Sequence, residues 1–353
     1  MKKIKKTTKQ DFITYLAVII AFVALTVMGD AGMLSRSLKG QLVPICCYIV
    51  MAVSLNLTVG ILGELSLGHA GFMSVGAFSG IIAAMSLQTV IPSPVLRLVI
   101  ALVVGAAFAA AAGALIGIPV LRLRGDYLAI VTLAFGEIIK ELINCLIVGV
   151  DAKGLHVIFN ITGAKTVNDL HMMEGGRAII KGAQGATGTE TIATFTAGFV
   201  LIMVSLVIIL NLVRSRSGRA IMALRDNRIA AESVGINVTT YKMMAFVTSA
   251  ALAGAAGALY GLNYSNLLST KFNFNTSILV LVFVVLGGLG NIRGSIIAAA
   301  ILTVLPELLR SFADYRMLVY AIVLILVMLG TNNAQLKSLF AKLVPSQLRK
   351  EAK

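Results

Sequence analysis

Charged residues are scarce in this sequence, and acidic residues are the scarcest of them. Of 353 residues, 13% are charged and 58% are hydrophobic, with 15 Asp and Glu against 30 Lys and Arg. Soluble globular domains carry about 25% charged residues, so this composition excludes a large soluble catalytic domain. It indicates an integral membrane protein, in which the surplus of basic residues belongs to cytoplasmic loops rather than to a nucleic-acid-binding face.

Residues and motifs that form disulfide bonds, metal sites or catalytic sites are also rare. The three cysteines, Cys46, Cys47 and Cys145, lie within or beside apolar runs, so we expect buried thiols and no disulfide framework. None of the three histidines has a second ligand at a useful spacing, so we expect no metal site. A GxxxxGK[ST] phosphate loop is missing, as are a His-Glu-x-x-His motif and a nucleophile elbow. We therefore expect neither an enzyme nor a cofactor bound by this chain.

Long apolar runs fill most of the chain. A helix that crosses the membrane needs about 20 apolar residues, and Gly, Pro and charged residues divide the sequence into ten such runs. The predicted spans are 12–29, 41–62, 66–87, 96–119, 127–149, 191–213, 243–262, 274–290, 295–310 and 317–330. Because the runs are continuously apolar rather than alternating, we predict an all-α integral membrane protein with about ten transmembrane helices, and not a barrel.

The distribution of Lys and Arg predicts that both termini are cytoplasmic. With the N-terminus inside, the inner segments hold 19 of these residues and the outer segments 10. The first span lacks a small-x-small cleavage site, so we expect it to stay attached. We predict one membrane domain over 1–353, with a core at 12–330, an extracytoplasmic loop at 150–190, a cytoplasmic segment at 214–242 and a cytoplasmic tail at 331–353.

Two glycine-dense segments interrupt the apolar runs. The first, 60–80, reads GILGELSLGHAGFMSVGAFSG, and the second, 287–294, reads GGLGNIRG. Irregular backbone at membrane depth is tolerated where it lines a cavity, so these segments predict interrupted helices beside a translocation pathway. Close helix packing is the alternative for the glycines, and a hydrogen-bonded structural role is the alternative for the histidine. The candidate pathway residues here are Gly63, Ser66, Gly68, His69, Gly71, Gly287, Gly288 and Gly290.

The fifth span carries three charged residues, Glu137, Lys140 and Glu141. Spacings of three and four place them on one side of a helix, so this helix cannot face lipid all round. Glu137 and Lys140 are candidates for lining the pathway. A structural ion pair and a cluster that reaches the membrane interface are the alternatives.

The cytoplasmic segment 214–242 reads RSRSGRAIMALRDNRIAAESVGINVTTYK. We expect Gly218 to precede one short helix, Asp226 or Asn227 to cap a second and Gly235 to end it. A basic anchor to anionic lipid is one interpretation. The acidic residues, and the glycines that end the short helices, fit a docking element for a cytoplasmic partner better than they fit a lipid anchor.

Several of these stretches, in their order along the chain, resemble the LivM-type permease subunits of branched-chain amino acid ABC importers. The resemblance rests on SLNL (54–57), GELSLGHAG (63–71), LRLRGDYLAIVTLAFGE (121–137), GRAIMALRDNRIAAESVGINVTTYKMMA (218–245), VLGGLGNIRG (285–294) and LPELLR (305–310). Two features depart from the family pattern. The external loop reads KGAQG (181–185) in place of a Gly-Gly-Pro-Asn-Gly-like sequence, and an Arg-Pro-x-Gly-like signature is missing after residue 330.

The resemblance implies a multi-pass subunit of the bacterial inner membrane that moves Leu, Ile or Val by alternating access. It also implies a second related permease subunit, two cytoplasmic ATPase subunits that bind ATP and Mg, and an extracytoplasmic amino-acid-binding protein. The implied coupling residues are Gly218, Arg219, Arg225, Asp226, Arg228, Glu232 and Gly235, and the candidate contacts to the binding protein are Gly182, Gln184 and Gly185. An ion-coupled secondary transporter of a small polar solute remains the alternative, because it too would use interrupted helices and intramembrane charges.

Overall fold

The computed structural model describes residues 2–309 apart from positions 34, 89, 124, 152–153, 161–165 and 174–175, together with positions 321–322 and 325. The predicted tail and nearly all of the predicted tenth span lie outside these residues. The described helices are α1 Lys2–Asp30, α2 Arg36–Asn56, α3 His69–Ser86, α4 Pro94–Val120, α5 Asp126–Asn144, α6 Phe195–Arg214, α7 Arg216–Asp226, α8 Arg228–Ser233, α9 Val238–Gly261, α10 Phe274–Gly287 and α11 Ile292–Leu308. The chain divides into two compact units, one ending at Ala300 and the other beginning at Ile301.

Within the described residues, six helical stretches are long and apolar enough to cross a membrane, and α10 is a shorter apolar helix. This confirms a helical membrane protein. The six stretches are Phe12–Asp30, Arg36–Leu62, His69–Ser86, Pro94–Val120, Phe195–Arg214 and Val238–Gly261. Helix α5 is not among them, because it concentrates three charged residues in its second half.

Helices α3, α4 and α9 form the centre of the first unit, and glycines set their spacing. A Cβ atom added to Gly76 would collide with the backbone of Gly254, and one added to Gly254 would collide with Ala109 and the Gly105 carbonyl group. Without a hydrophobic driving force between helices in lipid, such close backbone approach supplies the packing energy. These glycines act in packing.

The prediction that the fifth span continues to residue 149 is wrong. Helix α5 ends at Asn144, and the next apolar residues form strand β1, Leu146–Asp151. A short apolar run rich in β-branched residues fits a buried strand as well as a helix, and here pairing with two neighbouring strands decides the outcome.

The predicted loop 150–190 contains most of a small antiparallel sheet. Its other strands are β2 Gly154–Phe159, β3 Arg177–Lys181, β4 Ala186–Thr187 and β5 Asn266–Leu267, in the order β2-β1-β3-β4-β5. The sheet buries Ile147, Val148, Ile179 and Ile180, so this segment has an apolar core that the sequence analysis did not anticipate. Pairing of β4 with β5 places the segment at the same end of the helices as the connection between α9 and α10.

Candidate functional site

The first glycine-dense segment contains a true helix interruption. After Asn56 the α2 helix widens into a π-helix, Leu57–Leu62, which ends at Gly63 with φ of +81°. Residues 63–68 are not helical, and α3 begins at His69. Left-handed backbone favours glycine, and π-helical turns are frequent at functional sites. The structure therefore confirms the interruption and locates it at residues 63–68.

The backbone of this interruption is held by α5. Thr132 Oγ1 accepts a hydrogen bond of 3.1 Å from the Leu67 N–H group. A Cβ atom on Gly68 would collide with the Thr132 carbonyl group, and one on Gly136 would lie 3.4 Å from the Gly68 Cα atom. Because these positions are glycines, α5 approaches closely enough for Thr132 to accept a hydrogen bond from a backbone N–H group that lies outside any helix.

The cytoplasmic segment forms the two predicted short helices, α7 and α8. Asn227 caps α8, since its Oδ1 accepts from Ala230 N at 3.1 Å, and Gly235 follows α8 with φ of +84°. The prediction that Gly218 precedes the first short helix is wrong. Ser215 caps α7, its Oγ accepting from Gly218 N at 3.1 Å, and Gly218 lies within the first turn against the carbonyl groups that end α6.

Arg225, near the end of α7, reaches the interrupted helix. Its Nη1 donates a hydrogen bond of 3.1 Å to the carbonyl oxygen of Gly60, inside the π-helix. A Cβ atom on Gly63 would lie 2.6 Å from Arg225 Cγ, so a larger residue at Gly63 would displace the arginine. The guanidinium group also pairs with Asp226 at 3.0 Å. The cytoplasmic segment is thus joined to the helix break.

The second glycine-dense segment meets the first at the same place. Asn56 is completely buried; its Oδ1 accepts from Gly290 N at 2.9 Å and its Nδ2 donates to Ser295 Oγ at 3.0 Å. Gly290 has φ of +78° and lies against the Gly60 carbonyl group. A buried asparagine that satisfies backbone on another segment stabilises that turn. Sequence reasoning missed Asn56 as a site residue, although a lone asparagine in an apolar run was the available signal.

A buried ion pair completes this region. Lys242, in the second turn of α9, pairs with Glu64 of the helix break, and the side chains are 5% and 17% exposed. The sequence analysis selected neither residue. We call Asn56, Gly60, Glu64, Arg225, Lys242 and Gly290 the Arg225 cluster.

His69 is buried within the helices. Its Nε2 lies 2.8 Å from Ser54 Oγ, and its ring packs edge-on against Phe72. Ser249 Oγ in turn donates to the Ser54 carbonyl oxygen at 2.6 Å. This geometry matches the hydrogen-bonded structural role.

A narrow cleft lies at the opposite end of the interruption, where α3 and α10 begin. It brings together two candidate pathway residues, Gly71 and Glu137. The residues that line this Glu137 cleft are Leu67, Gly71, Leu133, Gly136, Glu137, Phe272, Asn273, Phe274 and Ser277.

The charged residues of α5 interact with one another and with α10. Glu137 Oε1 accepts a hydrogen bond of 3.1 Å from Phe274 N, the first residue of α10, and its Oε2 pairs with Lys140. Lys140 also lies 3.4 Å from Glu141, which accepts from Asn144 Nδ2 at 3.1 Å. The ion pair given as one alternative is therefore present, and it lies at the wall of a cleft.

The remaining candidate residues are placed apart from these two sites. Arg219 donates to the Arg214 carbonyl oxygen, and Arg228 pairs with Glu232 at 3.0 Å, both within the cytoplasmic segment. Gly182, Gln184 and Gly185 follow β3 at the sheet end, where only Gln184 of the three is exposed. Gly287 packs against the backbone of Gly294 and Ser295, and Gly288 has φ of +92° in the turn between α10 and α11. Among the described residues, no group of three or more His, Cys, Asp or Glu is arranged to hold a metal ion.

Comparison with known proteins gives consistent matches over most of the chain. Residues 37–328 match the family model described as the permease component of the branched-chain amino acid transport system. The chain is 36% identical over 323 residues to the high-affinity branched-chain amino acid transport system permease protein LivM of Escherichia coli K12, covering 87% of this chain and 72% of that protein. It is also 36% identical to the LivM protein of Salmonella typhimurium LT2, covering 80% and 66% of the two chains. The LivH permease protein of the same Salmonella strain is 24% identical, covering 80% and 88%.

Proposed function

The chain belongs to the family of permease components of branched-chain amino acid transport systems, and from this membership we propose that it carries Leu, Ile or Val through the bacterial inner membrane by alternating access. Its polytopic helical architecture suits that role. The chain would form part of the pathway for the solute. The energy for transport would come from ATP hydrolysis by partner subunits, because the sequence has no phosphate loop with which to bind ATP.

The hydrogen bond from Arg225 to Gly60 carries the mechanistic part of the proposal. Helix α7 is short and amphipathic, and Arg225 near its end is hydrogen-bonded to the π-helical turn before the break. A rigid displacement of α7 would therefore pull directly on the segment that connects α2 to α3. A conformational change of this kind needs contacts that differ between two states, and a charge-assisted hydrogen bond to the π-helical turn can supply such a difference.

The partners follow from the same proposal. Similarity to both LivM and LivH proteins supports pairing with a second, related permease subunit. Two cytoplasmic ATPase subunits would bind ATP and Mg and dock on the segment from Gly218 to Gly235. An extracytoplasmic amino-acid-binding protein would approach the sheet end, where Gly182, Gln184 and Gly185 lie.

Reconstitution tests this function. The chain would be coexpressed with its related permease and ATPase subunits, purified as a complex and placed in proteoliposomes with the binding protein. We expect uptake of radiolabelled leucine, isoleucine or valine that requires ATP and Mg. Uptake by the chain alone, driven by a proton or sodium gradient, would overturn the proposal in favour of an ion-coupled carrier.

A further inference from the structure

Glu137 lies near the middle of α5 and is not enclosed by this chain. Helix α5 has 19 residues, which at about 1.5 Å per residue span roughly the thickness of the hydrocarbon core. Glu137 is close to the middle of that length, and its side chain is 36% exposed. Ionised groups at this depth face protein or a water-filled cavity rather than lipid. The exposed edge of the Glu137 cleft therefore opens toward such an environment.

The polar wall of the cleft holds a carboxylate between two donors. Glu137 accepts from the first amide of α10, at Phe274 N, and pairs with the ammonium group of Lys140. An α-amino acid brings one carboxylate and one ammonium group of its own. The solute carboxylate would accept a hydrogen bond from the α10 amide and pair with Lys140. The solute ammonium group would pair with Glu137. This exchange leaves the net charge of the cleft unchanged and keeps every ionised group paired.

The other walls suit an aliphatic side chain. Leu67, Leu133, Phe272 and Phe274 supply apolar surface. Contact with these side chains would remove the aliphatic part of a solute from water.

We propose that the Glu137 cleft is a solute-binding site of the membrane domain, in which Glu137 binds the ammonium group and Lys140 the carboxylate of an aliphatic amino acid. This inference rests on the proposed function. The cleft is closed in this structure, so the proposal requires α5 and α10 to separate before a solute can bind.

The decisive substitution is Glu137→Gln in the reconstituted complex. Glutamine keeps an oxygen that accepts the hydrogen bond from Phe274 N, so the start of α10 stays capped. The variant loses only the negative charge that would bind the solute ammonium group. Glu141→Gln is the matched control, because Glu141 pairs with the same lysine but does not line the cleft. We expect Glu137→Gln to slow leucine uptake about tenfold or more, with ATP hydrolysis stimulated by the binding protein within about twofold of wild type. Glu141→Gln should retain uptake.

Photolabelling of the wild-type complex gives a test that needs no variant. A leucine analogue bearing a diazirine would be loaded through the binding protein, and mass spectrometry would locate the crosslinks. Crosslinks to Leu67, Leu133 or residues 272–274 that excess leucine abolishes would support the site. Crosslinks confined to other parts of the chain, or wild-type uptake by Glu137→Gln, would overturn it. A wild-type complex that takes up no aliphatic amino acid would overturn the proposed function and the site together.

Discussion

The Arg225 guanidinium group donates a 3.1 Å hydrogen bond to the carbonyl oxygen of Gly60, although the two residues are 165 positions apart in the sequence. One belongs to a short helix outside the predicted spans and the other to a π-helical turn within one. The contact joins the element proposed to receive ATPase movement to the break that interrupts the membrane helix.

Arg225→Ala should uncouple ATP hydrolysis from import. Alanine removes the donor to Gly60, so movement of α7 would no longer displace the helix break. We expect ATPase activity of the complex to persist while leucine uptake falls about tenfold, as for loss of a charge-assisted hydrogen bond. Both rates would be measured on the same proteoliposomes.

Arg216→Ala is the control for this prediction, because Arg216 is an exposed arginine at the other end of α7. It should retain coupled uptake. Equal coupling in Arg225→Ala and wild type would contradict the assigned role of Arg225.

Lys242→Met should destabilise the protein by about 3–5 kcal/mol, because it leaves the Glu64 carboxylate partly buried without its partner. The double variant Glu64→Gln/Lys242→Met should recover most of this loss, since no uncompensated charge remains. Thermal unfolding in detergent measures both. Lys271→Met, at an exposed lysine, should change the unfolding temperature little. A double variant as unstable as Lys242→Met would show that charge pairing is not the cause.

Gly254→Ala should destabilise the membrane domain by about 1–3 kcal/mol through overpacking, because the added methyl group would collide with Ala109 and the Gly105 carbonyl group. Gly40→Ala is the matched control. Gly40 also lies in a helix, but an added Cβ meets no atom within 4 Å, so alanine should stabilise slightly through its helix propensity. Opposite shifts of the unfolding temperature are the expected result, and equal shifts would contradict the packing argument.

Cysteine labelling should place α8 and the sheet on opposite sides of the membrane. In a background without native cysteines, Ile229→Cys and Leu155→Cys provide exposed positions on α8 and β2. An impermeant maleimide should label Leu155→Cys in intact spheroplasts and Ile229→Cys only in inside-out vesicles. Labelling of Ile229→Cys in intact spheroplasts would reverse the predicted topology and remove α7 and α8 from the ATPase side.

The sequence analysis succeeded where a local signal was sufficient. Apolar runs of about 20 residues identified the membrane helices, because lipid leaves the backbone few alternatives. Glycine density located the break between the π-helix and α3. It failed at the end of α5, because the apolar run 146–150 has no periodicity that distinguishes a strand from a helix. It also failed at Gly218, because Ser215 is the residue that caps α7.

By itself, the sequence determined the class of protein, the positions of the breaks and the presence of two short helices, because each depends on composition or on spacing within a few residues. Only the tertiary structure decided that Asn56, Gly60, Arg225 and Gly290 meet, that Lys242 neutralises Glu64, and that Glu137 faces the start of α10. Those contacts join residues far apart in the chain. They depend on how closely the helices pack against one another, and no local sequence pattern encodes the spacing between helices.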